Sequence, residues 1–445
     1  MTEPTGFAFT VSVSGGAGGV EAQYEDLAAM GRLTDDVAEN TLFTAATSHQ
    51  YLANPDVIAS AILDPVGAAR FEAGLLAALD GPDGLTATSV GIGLRGAAFR
   101  ASARAYQISE ELNARALDDI RWLEGTPIGA TVTVPALAGF TLAEVYGRDD
   151  GNWEKFLVDH PGLVDQAIGM SPGLLSSLLG GENSLADATA LAASLYPDGS
   201  PRVTNGGLDP NQTPPPRGLG DILNGLQHRD DPGRGDDNNI DVRKVIGADG
   251  RVSYIVDIPG TRVWNAPGDK TSNANDLGTN LNAMAGNPTV LEKGIQVALS
   301  RSHVGPHDPV MLVGHSQGGI VAARAANDFV SSGQYNVTHV VTAGSPIGRI
   351  AVPDNVQVLS LENRNDIVPH LDASDNPDTA NRTTATFDHQ TGTIAGNHQI
   401  AGNYSNVAKQ LDSSHNPSVE TFKKSMGNFT GGSQVETYRY KVERE

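Results

Sequence analysis

The chain of 445 residues contains no cysteine. Disulfides, thiolate nucleophiles and thiolate metal sites are therefore excluded, and the redox compartment stays open. Basic residues are scarce: 30 Lys and Arg stand against 52 Asp and Glu, a formal net charge of −22. A nucleic-acid partner needs a basic patch against its phosphates, and docking by charge on anionic lipid needs the same, so both are set aside. Clean apolar runs of membrane-spanning length are also missing. "GTPIGATVTVPALAGFTLA", Gly125 to Ala143, comes near that length, but Gly, Pro and Thr interrupt it throughout. The start, "MTEPTGFAFT", has neither a basic n-region nor an apolar h-region. The expectation is a protein without a transmembrane segment, either cytoplasmic or exported without an ordinary signal peptide. There is no Walker glycine-lysine motif and no His-Glu-x-x-His. "RDDPGRGDDNNID" lacks the EF-hand glycine and distant glutamate and reads as a solvated acidic loop. No metal and no cofactor is expected, and neutral or apolar small molecules remain as substrates.

What is present falls into two halves. Residues 1–196 are rich in Ala and Leu and poor in strand-like runs. From Asn54 to Gly125 the sequence reads as two long helices broken by "DGPDG", because Gly and Pro continue a helix only at high cost. Ile108, Leu112, Leu117, Ile120 and Leu123 recur at helical spacing. In "SPGLLSSLLGG", Ser171 is placed as an N-cap, Pro172 at the first helical position and Gly180 as a stop. An all-helical domain over 1–196 follows. Residues 197–217 are rich in proline without apolar periodicity and read as a linker. From 218 to 445 the grammar changes: "NIDVRKV" and "VSYIVDIPG" flank a turn signal, and "DPVMLVG" is a short apolar run of the kind buried on both faces. Strands alternating with helices predict a mostly parallel sheet with flanking helices.

"GHSQGG" lies between the run "DPVMLVG" and a helix beginning near Gly318. Gly314-His315-Ser316-Gln317-Gly318 thus has the strand–turn–helix context of a nucleophile elbow. Gly314 and Gly318 are small because so tight a turn leaves no room for side chains, and Ser316 must accept a strained backbone. A serine hydroxyl needs a neighbouring base, itself held by a carboxylate, and in this arrangement both follow in the chain. "VQVLSLENRNDIVPHLD" puts Asp366 in a loop just past a strand end, with Glu362 nearer the strand and Asp372 farther out. For the base, His370 is too close to Asp366 in sequence and His415 lies in a polar turn far along the tail. His398 in "AGNHQIAGNY" leads, with His389 in "FDHQTG" as the alternative. His315 is taken as a packing neighbour. Oxyanion donors are expected at the Gln317 N–H and, through the turn that Gly260 permits in "YIVDIPGTRVW", at the Thr261 N–H.

"LVGHSQGG", "DIPGT", "NRNDIVP" and the His398 segment together resemble the serine lipases and esterases of the α/β-hydrolase superfamily, over roughly residues 218–410. The resemblance implies an α/β-hydrolase fold. It implies Ser316 as nucleophile, Asp366 as acid, His398 as base, and Thr261 with Gln317 as the oxyanion hole. It also implies a small-molecule ester or lipid substrate. A mobile lid is common in that family, and residues 264–287 are long and polar enough to form one. The amino-terminal half resembles, more loosely, the helical-hairpin proteins of actinobacterial type VII secretion. Tyr106 to Glu110 fits the Tyr-x-x-x-Asp/Glu export signal, although "DGPDG" stands where Trp-x-Gly would be, and Tyr146 to Asp150 matches as well. That likeness implies a secretion-machinery or helical partner. The expected activity is carboxylic-ester hydrolysis through an acyl-enzyme on Ser316. The alternatives are a thioesterase, or an exported helical interaction protein whose hydrolase half is inert.

Overall fold

Proline lacks a backbone N–H and collides with the preceding turn, so a helix tends to end just before one and begin with one. Asp64-Pro65 does this inside the first of the two expected helices. The segment divides into α2 (Pro55–Leu63) and α3 (Pro65–Asp80), with the Asp64 side chain accepting from the Gly67 N–H as N-cap. The computed structural model describes residues 9–17, 20–81, 84–93, 95–96, 185–231, 233 and 239–445. It divides into two compact units, residues 22–116 and residues 1–21 with 117–445. The first unit holds most of α1 (Val20–Ser48), then α2, α3 and a helical stretch over 85–93. Within it, the buried Ser89 Oγ donates to the Ala38 carbonyl and His49 Nε2 lies 2.7 Å from Asp80 Oδ2. The periodic positions 108–123, the "SPGLLSSLLGG" helix and both Tyr-x-x-x-acid matches lie outside the described residues. Among the described residues, no helix is long and apolar enough to cross a membrane.

The larger unit is built on a nine-stranded sheet, in the order β1-β8-β7-β6-β5-β4-β3-β9-β2. The strands are β1 (Val11–Gly15), β2 (Pro201–Leu208), β3 (Ile240–Gly247), β4 (Val252–Ile258), β5 (Pro309–His315), β6 (Asn336–Ala343), β7 (Gln357–Asn363), β8 (Arg382–Phe387) and β9 (Gly432–Arg444). The five from β4 to β8 run parallel, and the outer strands pair antiparallel. In β5, Val310 and Leu312 enter one buried cluster while Met311 and Val313 enter another. This is why "PVMLV" carries no polar alternation: both faces are covered. On one face lie α6 (Leu277–Met284), α7 (Val290–Arg301) and α8 (Gln317–Ser331). The other face carries α5 (Leu219–Asp230), α9 (Ser405–Asp412) and α10 (Pro417–Ser425). The mostly parallel, helix-flanked sheet is the expected α/β-hydrolase fold.

Two expectations about organisation differ from what is observed. Among the described residues the amino-terminal half is not wholly helical, because β1 is an edge strand of the sheet. Phe9 next to it packs edge-on against Phe387 at 5.4 Å and exchanges hydrogen bonds with the Gln410 side chain. The stretch read as a linker, 197–217, contains β2, which pairs with β9. Its hydrogen bonds come from a strand over two hundred residues away, so no local pattern announces it. Helix α4 (Leu185–Ser194) leads into Tyr196, whose hydroxyl donates to the Asn265 carbonyl and whose own carbonyl accepts from Asn282 Nδ2.

Two ion pairs are buried between α5 and the strands beneath it. Arg229 meets Asp241 at 3.1 Å, and Arg243 meets Asp257 at 2.7 Å, with every side chain at most 2% exposed. Gly225 makes room for the second pair, since a Cβ there would sit 2.3 Å from the Arg243 guanidinium carbon. Burial raises the Asp257 carboxyl to about 6 against the pull of Arg243. Arg243→Met strands that carboxylate and should cost about 3–5 kcal/mol of unfolding free energy. Arg243→Met with Asp257→Leu should recover much of the loss. Urea denaturation of the two variants checks this, and an equal loss in both would contradict it.

Candidate active site

The elbow owes its shape to lack of space. A Cβ at Gly314 would lie 2.2 Å from the Gly318 carbonyl carbon, and a Cβ at Gly318 would lie 1.9 Å from the Ile258 carbonyl oxygen. Between these glycines Ser316 adopts φ 55° and ψ −123° at the N-cap of α8. A side chain in that left-handed region is strained and held only by its surroundings. The Ser316 N–H donates to the Ala343 carbonyl at 3.0 Å, tying the turn to β6. Ser316 is 9% exposed. Among the described residues its Oγ makes no hydrogen bond.

Asp366 and His398 meet. His398 Nδ1 is 2.6 Å from Asp366 Oδ2, and Asp366 is fully buried. The same oxygen accepts from the Tyr404 hydroxyl at 2.7 Å, and Asp366 Oδ1 accepts from the Val368 N–H at 3.0 Å. Beside the carboxylate, burial and its charge push the Tyr404 hydroxyl well above the ordinary range, so it remains a donor. Gly344, at φ 58°, leaves the space these groups fill; a Cβ there would meet Asp366 Oδ2 and the Tyr404 hydroxyl at 2.9 Å. An asparagine network ties the two loops. Asn363 Nδ2 donates to the carbonyls of His389 and Asn397, and Asn397 Nδ2 donates to the Asn365 carbonyl. His389 stands elsewhere: its ring packs edge-on to Phe9 at 5.3 Å, and its backbone N–H donates to Asn363 Oδ1. His398 is brought to Asp366, whereas His389 is anchored through its backbone.

The "DIPGT" loop lies against the elbow. A Cβ at Gly260 would stand 3.1 Å from the Ser316 Cβ, a tight contact that glycine avoids. The N–H groups of Thr261 and Gln317 have no hydrogen-bond partner among the described residues; Gln317 opens α8, where such donors are left over. The Thr261 hydroxyl accepts from Asn280 Nδ2. Gln317 Nε2 donates to the Asp276 carbonyl. That contact belongs to a set that fastens much of the expected lid. Arg262 and Val263 donate to the Asn275 carbonyl, Asn275 Nδ2 donates to the Pro259 carbonyl, and Arg444 pairs with Asp276 at 2.6 Å. Helix α6 fills residues 277–284, and the exposed positions include 266–270 and Trp264, which is 72% exposed.

His315 is more than a packing neighbour. Its Nδ1 lies 2.9 Å from Asp230 Oδ2, its Nε2 lies 2.8 Å from the His398 carbonyl oxygen, and its ring stacks on the His398 ring with centroids 4.5 Å apart. Asp230 and Asp241 end the stretch read as a solvated acidic loop, yet each is engaged with a buried partner, His315 and Arg229. The sequence gives no sign of this, because the partners come from β5 and α5. Burial opposes the protonation of His315, but the Asp230 carboxylate outweighs it and raises the imidazole above its usual range. Burial and the His315 charge lower His398 against the pull of Asp366. Among the described residues no cluster of His, Asp and Glu is arranged to hold a metal. A polar cavity of about 350 Å³ lies at the other end of α5, lined by Arg217, Asp221, Asp412 and Lys423, with no residue of this site.

Residues 274–428 match a family model described as a PGAP1-like alpha/beta domain. The matched stretch is less than half of the chain and contains Ser316, Asp366 and His398, but neither Thr261 nor Asp230. No curated protein matches the chain significantly. The match and the sheet agree on the fold of the larger unit, a mostly parallel, helix-flanked sheet of the α/β-hydrolase kind.

Glu362, at the end of β7, is raised to about 8 by burial and by Asp372 and Asp375 nearby. The folded state therefore keeps a proton that the unfolded chain releases above about 4.5, and this carboxyl loses stability as pH rises from there to about 8. Its Oε1 accepts from Asn376 Nδ2 at 2.5 Å, a bond that glutamine preserves. Glu362→Gln should raise Tm at pH 8 by about 2–4 °C and leave it unchanged at pH 4. Calorimetry at both values checks it, and an equal gain at pH 4 would assign the effect to packing.

Proposed function

We propose that this chain is a serine carboxylic-ester hydrolase working through an acyl-enzyme. The observation that carries the reading is the Asp366–His398 hydrogen bond beside a strained strand-to-helix elbow bearing Ser316. An ionised carboxylate only accepts, so the proton of neutral His398 sits on Nδ1 and the lone pair on Nε2. That nitrogen makes no hydrogen bond among the described residues and is available to take the Ser316 proton. Ser316 Oγ then attacks the acyl carbonyl, and the N–H groups of Gln317 and Thr261 receive the oxyanion. His398 returns the proton to the leaving alcohol, and a water deprotonated by the same nitrogen clears the acyl group. Asp366 stabilises the imidazolium in both halves. Ser316, Asp366 and His398 follow β5, β7 and β8, at the carboxyl ends of parallel strands where open α/β sheets bind ligands. Neutral or apolar acyl esters fit the acidic chain best, and a thioester would pass through the same steps.

Fluorophosphonate labelling read by peptide mass tests the nucleophile. One adduct on Ser316, absent in Ser316→Ala and strongly slowed in His398→Ala, is expected, with the label retained in His389→Ala. On a turned-over ester, Ser316→Ala and His398→Ala should each lose on the order of 10⁴-fold or more in kcat. A folded protein that takes no label would favour the inert-domain alternative. A label lost in His389→Ala but kept in His398→Ala would exchange the two histidines.

A further inference from the structure

We propose that His315 is a positioning residue: an imidazolium clamped between Asp230 and the His398 carbonyl, which fixes the loop of the base and keeps the base neutral by its charge. The inference deepens the reading of His398 as the base and rests on it. It begins from hydrogen-bond capacity. A carbonyl oxygen only accepts, so His315 Nε2, 2.8 Å from the His398 carbonyl, must carry a proton. An ionised carboxylate only accepts as well, so Nδ1, 2.9 Å from Asp230 Oδ2, must carry one too. A ring with both nitrogens protonated is a cation, and the ring is buried with its counter-ion beside it. The low range of the Asp230 carboxyl agrees: burial alone would raise it, and the bond to His315 and its charge more than reverse that.

The cation is aimed at one neighbour. The His315 and His398 rings are tilted by 31° with centroids 4.5 Å apart, so a proton on His398 would set two like charges against each other. The other groups around the pair are few. Asp366 Oδ2 holds His398 Nδ1, the Tyr404 ring lies 6.3 Å from His315, and Arg262 approaches Asp230 Oδ1 at 3.5 Å. Asp366 draws a proton onto His398, and so, more weakly, does Asp230; His315 repels it more strongly than Asp230 attracts it. Asp230 also accepts from the Gly260 N–H at 3.3 Å, so the carboxylate that charges His315 steadies the loop leading to Thr261. Placing His315 in the elbow, one residue before Ser316, fixes nucleophile, base and oxyanion loop against a common ring.

Asp230→Asn keeps the shape and removes the counter-charge. The experiment is nitrogen NMR of the histidine rings across pH 5–9 in the full chain, on wild type and Asp230→Asn, with His315→Gln and His398→Gln used for assignment. In wild type, His315 should show two protonated nitrogens at pH 7.5 while His398 is neutral. In Asp230→Asn, His315 should be neutral at pH 7.5 and the His398 midpoint should move to higher pH. Where an ester is turned over, the acid limb of kcat/KM should follow, lowering activity at acid pH about tenfold relative to the alkaline plateau. A neutral His315 in folded wild type overturns the proposal, and so does a His398 midpoint that stays put once His315 has lost its charge. These readouts need no turnover, so a failed fluorophosphonate label would strike the esterase reading and leave the ring assignments to be judged separately.

Discussion

The ends of β4 and β5 leave no room for a side chain at position 318, where a Cβ would lie inside the van der Waals shell of the Ile258 carbonyl oxygen. Much of the site depends on that crowding. Because the chain must leave β5 and enter α8 through so narrow a gap, the turn between them closes over a single residue, and Ser316 is forced to positive φ. The strain is tolerated because the parallel sheet, buried on both faces, cannot move aside. The same crowding brings the Gly260 backbone against the serine. A rigid elbow of this kind is what the proposed role of Ser316 as nucleophile requires.

Around the elbow, polar groups do the holding. Asp366 accepts from a histidine, a tyrosine and a backbone amide; Asn363 and Asn397 tie the Asp366 loop to the His398 loop; Asp230 joins His315 to the Gly260 loop. Each bond is modest in water, but buried groups left without partners are expensive, so such a network resists partial loosening. It fixes the His398 tautomer through Asp366 and leaves Nε2 available. The residues 264–287 belong to the same order. Much of that segment is fastened by Asn275, Gln317 and Arg444, while Trp264 and residues 266–270 stay exposed.

Some of this was legible in the chain itself. The change of grammar near residue 218, the apolar run without alternation and the glycines around Ser316 predicted the sheet, its burial and the elbow. Asp366 was readable as a loop carboxylate after a strand. The choice between His398 and His389 was not, since both follow in glycine-bearing loops and only the fold sends one to Asp366 and the other to Phe9. Tyr404 and Gly344 gave no local signal, and Asp230 gave a misleading one. A carboxylate in an acidic loop looks solvated until its partner, 85 residues later, is brought to it.

Local sequence therefore determined what is set by short-range sterics and by periodicity: which segments are strands, where helices begin, and that a tight turn displays a serine. The split at Asp64-Pro65 is of the same kind, decided by the chemistry of two residues. Tertiary structure decided everything that depends on pairing between distant segments. It placed β1 and β2 at opposite edges of one sheet, where their hydrogen bonds come from β8 and β9. It brought Asp230, His315, His398 and Asp366 into one cluster. Burial, not sequence spacing, sets their charges, because the cost of an unpaired ion is paid only once water has been excluded.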